Sequence, residues 1–358
     1  MRIASIPAEE IDMQDEVSTA GRPHIDITSV RRLSELADYV VPFAIRAVCS
    51  LGVADHLIDG PLPVPDLAKR CNAEPVALQR ALRALAGKGI FTECEPGVFG
   101  LTALAQPLRS DHPVSLGDAY PLLPGDLQAW AHFDYTLRTG LSSFEYVHGM
   151  GYWEYMAEHP EESKRFDGSQ AAGTRMEVRT VLSAYDSWAG LTSVVDLGGG
   201  NGTFLIGMLS RLRHMRGTLF DQPHVVAGAP ALLSAAGLTE RIAVKGGSFF
   251  DDEIPPGADA YLLKRVLWSW TDDHAHTLLT RVRAAMRDDS RLLVHEPVAF
   301  PGDTDEVGKA YDLILLAMGG GCARTEEQLR ALFGGAGLRI NRVIPTPMFP
   351  LVEVLPVT

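Results

Sequence analysis

Cysteine is scarce in this chain, and positive charge is short. The 358 residues include four cysteines, namely Cys49, Cys71, Cys94 and Cys322, which are far apart and form no C-x-x-C pair. That spacing speaks against a disulfide framework and against a thiolate zinc site, and it suits a reducing compartment. The eleven histidines are equally dispersed. His274 and His276, two apart, face different sides of a helix, so no metal is expected. Lysine and arginine number 32 against 45 acidic residues, a formal net charge of −13. Phosphate binding needs a basic surface, so no nucleic-acid partner is expected. Long apolar runs are missing as well. The most apolar early stretch, Val40 to Leu51, carries Arg46 and is too short to span a bilayer. The first ten residues turn acidic without the apolar run of a signal peptide, so a cytoplasmic protein with no membrane partner is expected. With 46% hydrophobic residues, the composition is that of a globular protein whose length suits more than one domain.

What is present falls into segments of different grammar. Residues 1–30 are polar and proline-interrupted, and read as a flexible arm. From Ser29 to about Leu51, apolar residues such as Leu33, Leu36, Val40, Ala44 and Ala47 recur at helical spacing. This helix is more apolar than a small domain can cover, which predicts a homodimer. Two short helical patterns, Val64–Arg70 and Pro75–Leu85, precede a hairpin pattern at Gly89–Thr92 and Gly97–Leu101. Residues 31–110 therefore read as a winged-helix-like domain. Alone it would suit a ligand-binding DNA regulator, but the acidity of the chain favours a dimerisation role. Residues 111–190 read as aromatic-rich helices forming a linker and substrate-pocket region. Trp130, Tyr152 and Trp153 are candidate walls there, where Gly149 and Gly151 break the helical pattern.

Residues 191–358 alternate strand and helix, the pattern of a doubly wound α/β sheet. The strand candidates are Ser193–Leu197, Gly217–Asp221, Arg241–Lys245, Ala258–Lys264 and Arg291–Glu296, with Leu338–Val343 and Leu351–Val357 as a closing antiparallel pair. The first strand runs into Asp196-Leu197-Gly198-Gly199-Gly200-Asn201-Gly202. Glycines there let a nucleotide-like ligand approach the backbone where a Cβ would block it. The spacing is not G-x-G-x-x-G, and no Lys-Ser/Thr pair follows as in a P-loop. The second strand ends on Asp221, an acid placed to accept ribose hydroxyls. A glycine turn without a pyrophosphate cradle, followed by a ribose acid, points to S-adenosylmethionine (SAM).

The order of motifs resembles the SAM-dependent small-molecule O-methyltransferases of the caffeate and acetylserotonin type, including their bacterial antibiotic-tailoring branch. The matching segments are the glycine turn, Leu219-Phe220-Asp221-Gln222-Pro223, Gly247-Ser248-Phe249-Phe250, Leu262-Leu263-Lys264-Arg265-Val266-Leu267, Glu296-Pro297 and Gly320-Gly321-Cys322-Ala323-Arg324-Thr325. The resemblance implies a homodimer with interlocked N-terminal helices and SAM on a Rossmann-like domain, leaving S-adenosylhomocysteine as product. It implies that Asp196, Gly198, Gly200, Gly202, Asp221, Ser248, Phe249 and Lys264 bind the cofactor. The candidate substrate-binding residues are Trp130, Tyr152, Trp153, Gln170, Trp268, Met318 and Cys322.

The chain departs from that family at the expected catalytic positions. Where members carry His-Asp-Trp, with the His as base, it has Trp268-Ser269-Trp270. Glu296 stands at one of two flanking glutamates, but the other falls on Ala323. A methionine that guards the methyl falls on Gln170, and Ser248 replaces an acid that reads the adenine. Trp268, Glu296, His132 and His148 are the candidate catalytic residues, the two histidines as substitutes for the lost base. The expected reaction is methylation of an aromatic or polyketide-type natural product, first at oxygen and otherwise at nitrogen or carbon, mainly through proximity. Two other readings stand beside it: a SAM-binding enzyme of non-methylating chemistry, such as hydroxylation or a pericyclic step, and a winged-helix regulator.

Overall fold

The computed structural model describes residues 26–303 and 307–357, in one unit that ends at Phe43 and a second that begins at Ala44. In the first unit, the Asp26 carboxylate accepts the N–H groups of Thr28 and Ser29 at 3.0 and 3.2 Å. This caps a helix, Ile27–Ala37, that buries none of its residues. The single helix expected from Ser29 to Leu51 is interrupted. Asp38 is extended and ends the first helix, and its carboxylate accepts the Val40 N–H at 2.8 Å to start a second, Val40–Ser50. A short acidic side chain that bonds its own backbone competes with the helical ladder, and apolar spacing does not register that competition. The expected arm at 1–30 lies on residues 1–25, outside the described residues, and on the opening turn of the first helix.

Past the remainder of that second helix, the second unit contains two short helices, Val64–Arg70 and Pro75–Ala86. A small antiparallel sheet of β1 (Leu62–Pro63), β2 (Phe91–Glu95) and β3 (Val98–Leu101), in the order β1-β3-β2, sits with them. Leu67, Leu78, Leu82, Leu85, Phe91 and Phe99 are its buried core. Four short helices follow: Pro124–Trp130, Phe133–Thr139, Ser143–His148 and Tyr152–Glu158. Gly140 and Gly149 end two of them in left-handed conformation. A long helix, Pro160–Ala184, then leads to the main sheet.

That sheet contains β4 (Ser193–Leu197), β5 (Arg216–Asp221), β6 (Ile242–Gly246), β7 (Ala260–Lys264), β8 (Arg291–His295), β9 (Leu338–Ile344) and β10 (Leu351–Pro356). Their order is β6-β5-β4-β7-β8-β10-β9. The first five are parallel; β10 runs antiparallel between β8 and β9. Alternate strand residues serve opposite faces. Val195, Leu197, Tyr261 and Leu263 pack with Leu278, Leu279 and Val282 of the helix Asp272–Ala285. Val194, Leu262 and Leu293 pack with Phe204 and Leu205 of the helix Thr203–Arg211 and with Val178 and Val181 of the long helix. The chain goes outward from β4 to β6 and returns to the other side of β4 as β7. The crevice at that reversal, beyond the strands' carboxyl ends, is where such sheets bind ligands.

Candidate active site

An open cleft with about 1280 Å³ of empty space, mouth included, occupies that crevice. Its floor is the turn after β4. Gly198 has φ +67°, and a Cβ on it would stand 2.8 Å from the Val266 side chain. Only glycine fits there, so the backbone itself forms the surface. The Gly200 N–H donates to Asp221 Oδ2 at 2.8 Å, and the Gln222 N–H donates to Oδ1 at 2.7 Å. Asp221 is thus fixed opposite the glycine turn, with lone pairs left on both oxygens. Burial pushes its carboxyl above the ordinary value, partly offset by these two backbone donors.

One wall is aromatic. Phe249 and Phe250 lie 5.9 and 4.8 Å from Trp270, both edge-to-face. Beside them the Ser248 hydroxyl donates to Asp251 at 2.9 Å and accepts the Phe250 N–H at 3.2 Å. Trp153, Phe166, Asp167 and Gln170 line the opposite side. Burial and the charge of Asp221 push the Asp167 carboxyl up to about 6.

A charged cluster lies at the end of β7. Lys264 Nζ donates to Thr174 Oγ1 at 3.1 Å and to Glu177 Oε2 at 3.3 Å. Arg265 Nη2 donates to the same Glu177 oxygen at 3.1 Å. Glu177 is fully buried; burial alone would raise its carboxyl, but Lys264 and Arg265 outweigh that and hold it below the ordinary value. Burial lowers the Lys264 ammonium and raises the carboxyl of Asp196. Asp196 sits behind the glycine turn, with neither oxygen hydrogen-bonded.

Gly198, Gly200, Asp221, Ser248, Phe249 and Lys264 of the expected cofactor set therefore line one cleft, and Trp153 and Gln170 line it from the substrate set. Asp196 and Gly202 do not. Gly202, at φ 84°, starts the helix Thr203–Arg211. Tyr152 and Met318 belong to a buried cluster behind Trp153 and Phe166. Trp130 packs on Phe133 at 4.9 Å, away from the cleft lining. Cys322 donates its N–H to the Trp268 carbonyl at 2.9 Å.

None of the four candidate catalytic residues lines the cleft. Trp268 is buried; its indole N–H donates to the Arg265 carbonyl at 2.9 Å, and its ring stacks on Tyr311 at 5.6 Å. Glu296, also buried, accepts the Trp268 backbone N–H at 3.0 Å, and burial pushes its carboxyl up to about 7. Arg324 holds the same turn, donating to the carbonyls of Leu267 and Trp270 at 3.1 and 2.7 Å. Gly321 packs so closely that a Cβ would overlap the Trp268 carbonyl oxygen. His148 is tied to the Gly125 carbonyl at 3.1 Å between Phe144 and Tyr155. His132 is exposed at the start of Phe133–Thr139.

Sequence reasoning passed over Asp167, His224 and Arg265, which line the cleft, and Glu177 behind it. A signal existed for the last. Gln170, Thr174 and Glu177 recur at spacings of four and three, a polar stripe on one face of a long helix.

A mostly parallel sheet with a glycine turn, a facing strand-end acid and an aromatic wall at its reversal point defines a nucleotide-cofactor enzyme of Rossmann-like class. Its family follows from comparison. The O-methyltransferase domain profile matches residues 130–339, and the O-methyltransferase dimerisation domain profile matches residues 34–111. A phenazine O-methyltransferase of Lysobacter antibioticus is 36% identical over 328 residues, 91% of this chain and 95% of that protein. The O-methyltransferase of neocarzinostatin biosynthesis, solved with S-adenosylhomocysteine and 1,4-dihydroxy-2-naphthoic acid, is 33% identical. It superposes with a TM-score of 0.76 over 90% of this chain and 98% of its own. Human N-acetylserotonin methyltransferase, solved with SAM, is 25% identical, with a TM-score of 0.84 over 92% and 98% of the two chains. The chain belongs to the O-methyltransferase family and is a SAM-dependent methyltransferase.

Proposed function

We propose that the protein methylates a flat aromatic natural product, at a hydroxyl first, by aligning acceptor and methyl rather than through a dedicated base. The observation that carries this reading is the contrast within one site. The glycine turn, Asp221 and the aromatic wall are assembled, whereas Trp268, at the position of the missing base, has its single donor committed to the Arg265 carbonyl.

In this reading the turn at Gly198 and Gly200 and the Lys264 side chain hold the methionine part of SAM. Asp221 holds the ribose, and Ser248 and Phe249 flank the adenine. The residues fit such a ligand: Asp221 keeps acceptor capacity toward the cleft, Gly198 leaves bare backbone, and Phe249 and Trp270 present aromatic faces. When bound, SAM supplies an electrophilic methyl whose leaving group is a neutral thioether. The protein's share is orientation, worth up to about 7–11 kcal/mol of the barrier. Trp153, Phe166 and Gln170 would hold the acceptor and exclude water. A general base adds about 10²–10⁴-fold, which matters little for a phenol acidic enough to ionise near neutral pH. The aromatic substrate class is supported by the ligands that the relatives' names carry: a phenazine, a dihydroxynaphthoic acid and N-acetylserotonin. We further place the reaction in the cytoplasm, in a homodimer built on residues 31–110 and the preceding helix.

Steady-state kinetics test the alignment. Trp268→Phe is expected to keep kcat within about twofold, whereas Trp268→Ala raises KM through lost packing. The kcat profile is expected to follow the acceptor's ionisation, with no limb of its own near ~6.5 that a histidine would give. A loss of kcat of about 100-fold in Trp268→Phe would make the indole N–H part of the chemistry and end this reading.

A further inference from the structure

The long helix turns one face to the cleft. Phe166, Asp167, Gln170 and Thr174 all line it, at the spacings of three and four that share a helix face. The two ends of that face are already committed. Asp167 stands in the field of Asp221 and His224, at the ribose end. The Thr174 hydroxyl accepts from Lys264 Nζ at 3.1 Å, at the methionine end. Gln170 lies between them, roughly 5 Å along the helix axis from Asp167 and roughly 6 Å from Thr174. The sulfur of SAM joins its ribose to its amino-acid chain. Gln170 therefore stands level with the place where the methyl leaves and the acceptor arrives.

Its backbone is fixed, and its side chain is not spent. The Gln170 carbonyl accepts Thr174 Oγ1 at 2.7 Å and Arg265 Nη2 at 3.3 Å. The carboxamide makes one weak contact, from Nε2 to Ser169 Oγ at 3.5 Å. Ser169 gives its own proton to the Phe166 carbonyl at 2.7 Å, so toward Gln170 it can only accept. That orients the amide, with its NH2 group toward Ser169 and Oε1 turned away. Among the described residues no donor reaches Oε1, yet the atom is not buried. Trp153, Met156 and Phe166 are the apolar lining on this side. A ligand seated against them takes water from Oε1, and that loss is costly unless the ligand brings a donor of its own.

We propose that Gln170 is a specificity residue that selects acceptors carrying a second hydrogen-bond donor, a hydroxyl or amino group, next to the hydroxyl that is methylated. Oε1 accepts that donor and so sets the rotation of the ring, with the reacting oxygen toward the methyl. Aromatic walls fix the plane of a ring and leave its rotation within that plane open. A neutral amide does not take the phenol's proton, so the residue orients the acceptor and leaves its ionisation to the acceptor itself. The family pattern places a methionine here, whose thioether is only a weak acceptor; this chain gains a strong one. The inference rests on the methyltransferase reading above and narrows its substrate to ortho-dihydroxy or ortho-amino-hydroxy arenes.

Calorimetry on the full-length protein with S-adenosylhomocysteine bound reads this without turnover. The probes are 2,3-dihydroxynaphthalene, 2-naphthol and 3-methoxy-2-naphthol, the last of which fills the second position with an oxygen that cannot donate. The diol is expected to bind roughly 3- to 10-fold more tightly than either of the others, the range for one neutral hydrogen bond. Gln170→Met, close in length and volume, should remove that ratio. Gln170→Glu, which keeps an acceptor oxygen, should retain it. Equal affinities for the three naphthols, or no binding by any of them, overturn the proposal, as does a ratio that survives in Gln170→Met. A loss of SAM affinity in Gln170→Met as large as the lost ratio would assign Oε1 to the cofactor's ammonium and overturn it too. Selective binding of the diol without any methylated product refutes the reaction and leaves this inference standing. Methyl transfer without selectivity does the reverse, so the two readings fail separately.

Discussion

Asp221 and Trp268 show what single residues can and cannot announce. Asp221 closes a strand about 25 positions after Asp196, and the chemistry that needs it there is local and readable from spacing. The structure holds it between the N–H groups of Gly200 and Gln222. Asp221→Ala is therefore expected to weaken SAM binding by about 1.5–3 kcal/mol, the loss of a charged acceptor. Titration calorimetry on the variant checks this, and an unchanged affinity would remove Asp221 from the ribose. Trp268 was legible only as a departure from a pattern. Its position is set by Glu296, Leu267 and Arg324, whose bonds span 28 and 57 positions. No local spacing reveals that its indole N–H turns inward, or that Glu296 caps a turn instead of facing a substrate.

Elements with strong periodicity were written plainly in the chain. The five parallel strands formed within a residue or two of where β-branched runs and glycine turns put them. The N-terminal helix was misjudged because one aspartate, Asp38, outweighs an otherwise continuous apolar pattern. The closing pair carries a device that alternation hid. Glu353 of β10 reads as an outward polar residue, yet it is fully buried. Burial would raise its carboxyl, but Tyr185, Asn341, Arg291 and Arg342 all donate to it and hold it down at about 2. These partners tie β8, β9 and β10 to the end of the long helix. A depressed carboxyl stabilises the fold above its unfolded value, near 4.5, and that share is lost as pH falls toward about 2. Glu353→Gln is expected to cost about 2–4 kcal/mol at neutral pH, because it takes the carboxylate from Arg291 and leaves Arg342 with Asp186 alone. Denaturant melts should show the gap between variant and parent narrowing once pH falls below about 4.5, with its charge-dependent part gone near pH 2. A gap independent of pH would mean that packing and not charge is what the residue supplies.

At the scale of the whole molecule, the helix Ile27–Ala37 exposes Val30, Leu33 and Leu36 at 54%, 67% and 65%. An apolar stripe of that kind marks an interaction surface. The match of a dimerisation domain to residues 34–111 supports a homodimer as its use. Light scattering at micromolar concentration is expected to return twice 38.8 kDa; a monomer would leave that stripe without a role. The sheet, the reversal point and the cleft serve one central claim, that this chain moves a methyl group from SAM to an aromatic acceptor. The most direct test is to incubate the purified protein with methyl-labelled SAM and 1,4-dihydroxy-2-naphthoic acid, alongside related phenols. Mass spectrometry then follows product and cofactor together. The account predicts a product one labelled methyl heavier and S-adenosylhomocysteine in equal amount. A product that gains oxygen or rearranges while SAM stays intact would contradict it.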